Sequence, residues 1–170
     1  ELMEEIVSLK EKVILFTSYN KMFEILREDI SLRFGIQVFA VNGSTPTDER
    51  QFIIDDFSRV EGSALLVLNP RAAGAGLNIT AASRVIHYNL EWNPALEDQA
   101  SARAYRRGQT NTVFIYRLYY KGTVEEIINT RIDRKREMSE TVIVGVDGSS
   151  ENGKDILRAL QISPREDKNG

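Results

Sequence analysis

At 170 residues and 42% hydrophobic, the chain has the size of one ordinary domain and enough apolar mass for a core, which excludes wholesale disorder. It has no cysteine, so disulfides and thiolate metal sites are excluded. The formal net charge of −3 argues against a strong polyanion binder as a whole, yet residues 101–136 carry nine Arg or Lys against three Asp or Glu, a local stretch suited to one.

No run of about 18 apolar residues marks a membrane span. The opening Glu1, Leu2, Met3, Glu4 and Glu5 lack the basic and apolar regions of a signal peptide. These features predict a protein that is not secreted, placed in a bacterial or archaeal cytoplasm or in a nucleus. A first residue of Glu rather than Met predicts a fragment or a processed product.

The first predicted element is a buried strand over residues 13–16, Val-Ile-Leu-Phe. A helix follows over 20–33, with Met22, Ile25, Leu26, Ile30 and Leu32 as its apolar stripe. A second strand over 36–41 ends at Asn42-Gly43. Thr45-Pro46 then opens a helix, with Thr suited to the N-cap and Pro to the first turn. Phe52, Ile53 and Phe57 supply its stripe. Strands are predicted over 64–68, 85–88 and 112–118. Helices over 94–107 and 123–138 follow the last two. Residues 147–153 read as a flexible linker, and 156–162 as a short helix that packs back.

Strands alternating with helices predict an α/β fold, a mostly parallel sheet covered by helices on both faces. Ligands in such folds sit beyond the carboxyl ends of the strands. The turns expected there include Ser18-Tyr19-Asn20, residues 69–76 and residues 89–94.

Two segments carry chemistry. The small-residue turn over 71–78, with Gly74 and Gly76, follows a buried strand and lets backbone approach an oxyanion. Taken alone, it reads first as a tight strand-to-helix turn, since it lacks the third glycine of a dinucleotide fingerprint and the Lys of a P-loop. The second segment, residues 98–109, is more specific. Gln99, Arg103 and Arg106 fall on one face of a helix, and two guanidiniums with an amide make a phosphate receptor. The plainer alternative is a solvated basic face. His87, the single histidine, closes an apolar strand and reads as a structural residue. The run 131–136 reads as a solvated helix face, and Glu125-Glu126 suits the dipole of a first helical turn.

In this order the segments resemble the second ATPase lobe of Swi/Snf-type DNA translocases in helicase superfamily two. Residues 12–18 are similar to the fourth motif of that family. Asn42-Gly43-Ser44 with Arg50 and Phe57 resembles its Gly-Ser segment, and 71–82 its fifth motif. Trp92-Asn93-Pro94 matches its tryptophan signature, and Gln99, Arg103, Arg106 and Gly108-Gln109 its sixth motif. Ala73, Ser83 and Tyr105 depart from the usual pattern.

The resemblance implies a three-layer RecA-like lobe over residues 1–140, with a linker and helical extension over 141–170. It implies that Arg103 and Arg106 are arginine fingers for ATP held by an N-terminal lobe, with Gln99 beside the same phosphate. Gly74, Gly76, Leu77 and Asn78 would line the nucleotide side. Ser18, Asn42, Gly43, Arg71 and Trp92 would face double-stranded DNA, with a half-buried core anchor as the other reading of Trp92. ATP and Mg2+ are implied, both held mainly by the first lobe, because this chain has no P-loop lysine and no Asp-Glu pair closing a strand to hold the metal. No metal site is expected on this chain. Two further readings are a degenerate lobe that scaffolds partners, and half of another two-lobed nucleotide enzyme.

Overall fold

A computed structural model describes residues 1–72 and 76–140, with the side chains of 136–140 excepted. The elements run α1 (Leu2–Ser8), β1 (Lys12–Phe16), α2 (Asn20–Phe34), β2 (Gln37–Val41), α3 (Thr47–Arg59), β3 (Ala64–Leu68), β4 (Arg84–His87), α4 (Pro94–Ser101), β5 (Phe114–Arg117) and α5 (Val124–Glu140). The predicted linker, the helix over 156–162 and the whole extension over 141–170 lie outside the described residues, as do Ala73 and Gly74.

The described residues fall into two compact units, those of 1–89 with 95–118, and those of 90–94 with 119–140. The first holds a five-stranded sheet in the order β2-β3-β1-β4-β5. Every neighbouring pair is parallel. The expected α/β architecture is therefore present, as an all-parallel sheet.

The alternation of side chains along each strand assigns the layers. Val13, Leu15, Leu65, Val67 and Ile86 pack with Ile6 of α1 and with Phe23 and Ile30 of α2. Ile14, Phe16, Leu66, Leu68 and Val85 face the other way, onto Ile54 and Phe57 of α3 and Ala100 of α4. All five residues of β3 are buried, as a central parallel strand requires. Each large apolar side chain buried this completely contributes roughly 1.5–3 kcal/mol.

Helix phases differ from the sequence reading in detail. The inward face of α2 is Phe23, Leu26 and Ile30, while Ile25 and Leu32 are exposed. The helix ends where Gly35 takes a left-handed φ of 61° and its N–H bonds Ser31 O at 3.0 Å. In α3 the buried residues are Ile54 and Phe57, and Phe52 is exposed. Pro46, not Thr45, occupies the N-cap of α3. Thr45 is drawn back into the preceding turn, where its Oγ1 accepts from Asn42 N at 3.1 Å. Helix α1 has no counterpart in the sequence reading. It is a seven-residue element that buries Ile6.

At the amino ends of the strands lies a buried cation. The Arg84 guanidinium is held by Glu11 at 2.6 Å and Glu5 at 3.8 Å, bonds Tyr116 Oη, and lies 4.3 Å from the Phe114 ring centroid. Burial works against its charge, but hydrogen bonds and charge from Glu11 and Tyr116 outweigh that and raise its pKa.

In the second unit, acidic residues fix the start of α5. Glu125 accepts from Tyr120 N at 2.9 Å and Glu126 from Gly122 N at 2.8 Å. These carboxylates satisfy loop amides as well as suiting the helix dipole.

Candidate functional site

A parallel sheet delivers all its outgoing loops to one edge. Here the ladder runs one residue past several strands. Thr17 N bonds Leu68 O at 3.0 Å, Asn69 N bonds Val41 O at 3.1 Å, and Tyr88 N bonds Phe16 O at 2.9 Å. Ser18, Asn42, Arg71 and Asn89 follow these positions closely, so the sheet sets them along one rim.

Each rim loop is braced by a short polar side chain. Asn89, 7% exposed, accepts from Thr17 Oγ1 at 2.9 Å and from Ser18 N at 3.0 Å. Asn42 Oδ1 accepts from Ser44 N at 2.9 Å and Thr45 N at 3.2 Å, which closes the turn through Gly43. Asn69 Oδ1 accepts from Arg71 N at 3.0 Å, leaving the Arg71 side chain exposed. Arg50 donates to Thr45 O at 3.0 Å and to Ala72 O at 3.3 Å, joining the loops after β2 and β3.

The segment from Gly76 to Ala82 crosses beside the arginine segment. Gly76 is exposed with φ of 81°, a left-handed conformation that favours glycine. Asn78 is exposed, whereas Leu77 is 6% exposed and packs in the core. The Leu77 side chain therefore anchors the loop to the core. Gly74, expected on the same nucleotide side, lies outside the described residues.

The arginines are not on one helical face. Helix α4 stops at Ser101, and tight i+3 bonds follow, Arg103 N to Ala100 O at 3.1 Å and Ala104 N to Ser101 O at 2.9 Å. The Arg103 carbonyl is taken by Ile79 N at 3.0 Å, a tertiary bond that replaces continued helix. Gln99 is exposed on α4 and Arg106 is exposed on the turn beyond it. Arg103 is 8% exposed, so only one of the two guanidiniums is presented outward. The Arg106 Nη1 lies 3.5 Å from Gly76 O.

Gln109 holds this arrangement. Its Nε2 lies 3.0 Å from Thr80 O, 2.9 Å from Ala82 O and 3.2 Å from Ala104 O. His87 is structural, as the sequence suggests. It is buried, with Nε2 2.7 Å from Ser101 Oγ and its ring stacked on Phe16 at 5.2 Å between centroids.

In the second unit, Trp92 is half-buried and Arg131 lies over its ring at 4.8 Å. Arg131 is 6% exposed, so this part of the basic run is not a solvated face. Asn89, Arg50 and Arg131 are the contributors that sequence reasoning left without a role. Only Arg50 and Gln109 gave a signal there, through their places in two of the motifs.

The geometry fits nucleotide and polyanion contact by exposed Arg106, Gln99 and Arg71. Among the described residues no group of three or more His, Cys, Asp or Glu could hold a metal ion.

Residues 1–108 match the family model of the helicase conserved C-terminal domain. The chain belongs to the Swi/Snf-type helicases of superfamily two, as their C-terminal lobe. It is 38% identical over 143 residues to the ATP-dependent helicase/translocase YwqA of Bacillus subtilis, covering 84% of this chain and 15% of that protein. It is 34% identical over 156 residues to the chromatin-remodeling ATPase INO80 of Neurospora crassa, covering 92% of this chain and 8% of that protein. The lobe thus spans a small part of these relatives.

Among solved structures, the C-terminal part of the Fun30 ATPase domain superposes with a TM-score of 0.72 at 32% identity, over 76% of this chain and 41% of that one. The Sulfolobus solfataricus SWI2/SNF2 ATPase core in complex with double-stranded DNA superposes with a TM-score of 0.69 at 32% identity, over 95% of this chain and 34% of that one. The three-layer, RecA-like architecture implied by the motifs is the one this helicase lobe has. Among the described residues, no helix is long and apolar enough to cross a membrane.

Proposed function

We propose that this lobe is the C-terminal half of an ATP-driven translocase on double-stranded DNA, completing a triphosphate site held by an N-terminal lobe of the same polypeptide. The observation that carries the reading is the exposed Arg106 guanidinium on a loop bonded to the 76–82 segment. A planar cation so placed meets the charge that builds on a transferred phosphoryl group.

In this reading Arg106 is the finger, and Gln99 orients water or phosphate beside it. Arg103, mostly enclosed, is the second cation near the phosphate once the lobes close. Mg2+ bound by the first lobe would neutralise phosphate charge. Gly76 and Asn78 lie between the nucleotide side and the rim. Ser18, Asn42, Gly43 and Arg71 grip one strand's backbone through hydroxyl, amide and guanidinium groups, and Trp92, steadied by Arg131, meets the groove. Closure on ATP and reopening after hydrolysis alternate that grip and move the lobe along DNA. The site of action is the bacterial or archaeal cytoplasm or the nucleus.

Expressed in line with a first lobe that carries a P-loop and an Asp-Glu pair, the chain should show DNA-stimulated ATP hydrolysis. The chain alone should show none. Hydrolysis by the isolated chain, or no DNA stimulation in the two-lobed protein, would overturn the reading.

A further inference from the structure

We propose that Gln109 is a positioning residue that sets where Arg106 stands, by fastening the arginine loop to the 76–82 segment. The inference deepens the function proposed above and rests on it.

The Gln109 carboxamide is used at both ends. Its Oε1 accepts from Asn111 N at 2.9 Å. An N–H needs an acceptor, so this bond fixes which way the amide is turned and aims the NH2 at the carbonyls. The NH2 then serves Thr80 O at 3.0 Å, Ala82 O at 2.9 Å and Ala104 O at 3.2 Å. Two N–H groups face three acceptors, so at least one bond is shared. Thr80 and Ala82 belong to one loop, and Ala104 to the other.

Arg106 lies between these fastening points. The backbone of Gln109 bonds Arg106 O at 3.0 Å, and Ile79 N bonds Arg103 O at 3.0 Å. The turn from Ala104 to Gln109 is therefore closed on itself and tied to the other loop on each side of Arg106. A finger misplaced by about 1 Å can lose about 100-fold in rate, because its contact matters mainly in the transition state.

Three variants of the two-lobed protein test this. Gln109→Met keeps the length and removes every bond of the carboxamide. Gln109→Lys restores N–H donors for the three carbonyls but loses the acceptor. Arg106→Ala reports on the finger itself. Gln109→Met should lower kcat about 10- to 100-fold, with KM for ATP and the Kd for duplex DNA within about threefold of the parent. Gln109→Lys should recover most of the lost kcat. Amide exchange at Ile79 and Asn111 should speed up in the Met variant and slow again at Ile79 in the Lys variant.

A Met variant within twofold of the parent in kcat, beside an inactive Arg106→Ala, would overturn this inference and leave the finger assignment standing. Equal loss in the Met and Lys variants would assign Gln109 to packing and overturn it as well. Normal turnover by Arg106→Ala would remove the functional reading and this inference together.

Discussion

Asn89 is the polar brace whose removal can be worked out most fully. Its Oδ1 takes two donors, the Thr17 hydroxyl at 2.9 Å and the Ser18 amide at 3.0 Å. Thr17 is 1% exposed and Asn89 7%, so water cannot readily replace the lost acceptor. Asn89→Ala loses two hydrogen bonds worth about 1 kcal/mol each and leaves a donor poorly satisfied, for a total cost of about 2–3 kcal/mol. For a chain of this size, that lowers the melting temperature by roughly 4–12 °C. Asn89→Asp keeps the acceptor but carries charge into a site closed to water, so it should destabilise more at neutral pH than at low pH, where the carboxyl is protonated. Thermal and urea unfolding followed by circular dichroism would measure both variants. An Ala variant within 0.5 kcal/mol of the parent, on the scale of ordinary surface changes, would refute the account of the rim.

Two further outcomes follow from the second unit and from the rim. Trp92 is the single tryptophan, so its fluorescence reports on its cover. Arg131→Met should shift that emission to the red and cost about 0.5–2 kcal/mol in unfolding experiments, and an unchanged spectrum would contradict the stacked geometry. Duplex DNA binding by the chain should be weak, nearly independent of sequence, and should fall steeply between 50 and 200 mM salt in anisotropy titrations, as backbone contacts dictate. Tight binding insensitive to salt would contradict a phosphate grip.

The sheet was legible because its signal is local. The apolar runs of β1 and β3 match buried parallel strands, and the alternating helices leave little choice of topology. The helix-phase errors have a common source: apolar residues such as Leu32 and Phe52 remain exposed at 86% and 71%, and sequence cannot tell them from core-facing neighbours. The site was legible as a set of residue types and illegible as a geometry. Spacing placed Arg103 and Arg106 together on a helix, but a tertiary bond from Ile79 to the Arg103 carbonyl competes with the helix and ends it early. The same competition pulls Thr45 away from the cap of α3 and into the Asn42 turn. Arg84 and Arg131, both buried against aromatic rings, depend on partners far away in the chain, Glu11 and Trp92, which no local pattern joins to them.

The most direct test of the whole account is DNA-stimulated ATP turnover by the two-lobed protein with and without Arg106→Ala. Loss of an arginine finger predicts a fall of about 1,000-fold or more in kcat, with duplex DNA affinity held within about threefold. Turnover at the parent rate, with DNA binding intact, would show that the exposed guanidinium of this lobe completes no triphosphate site.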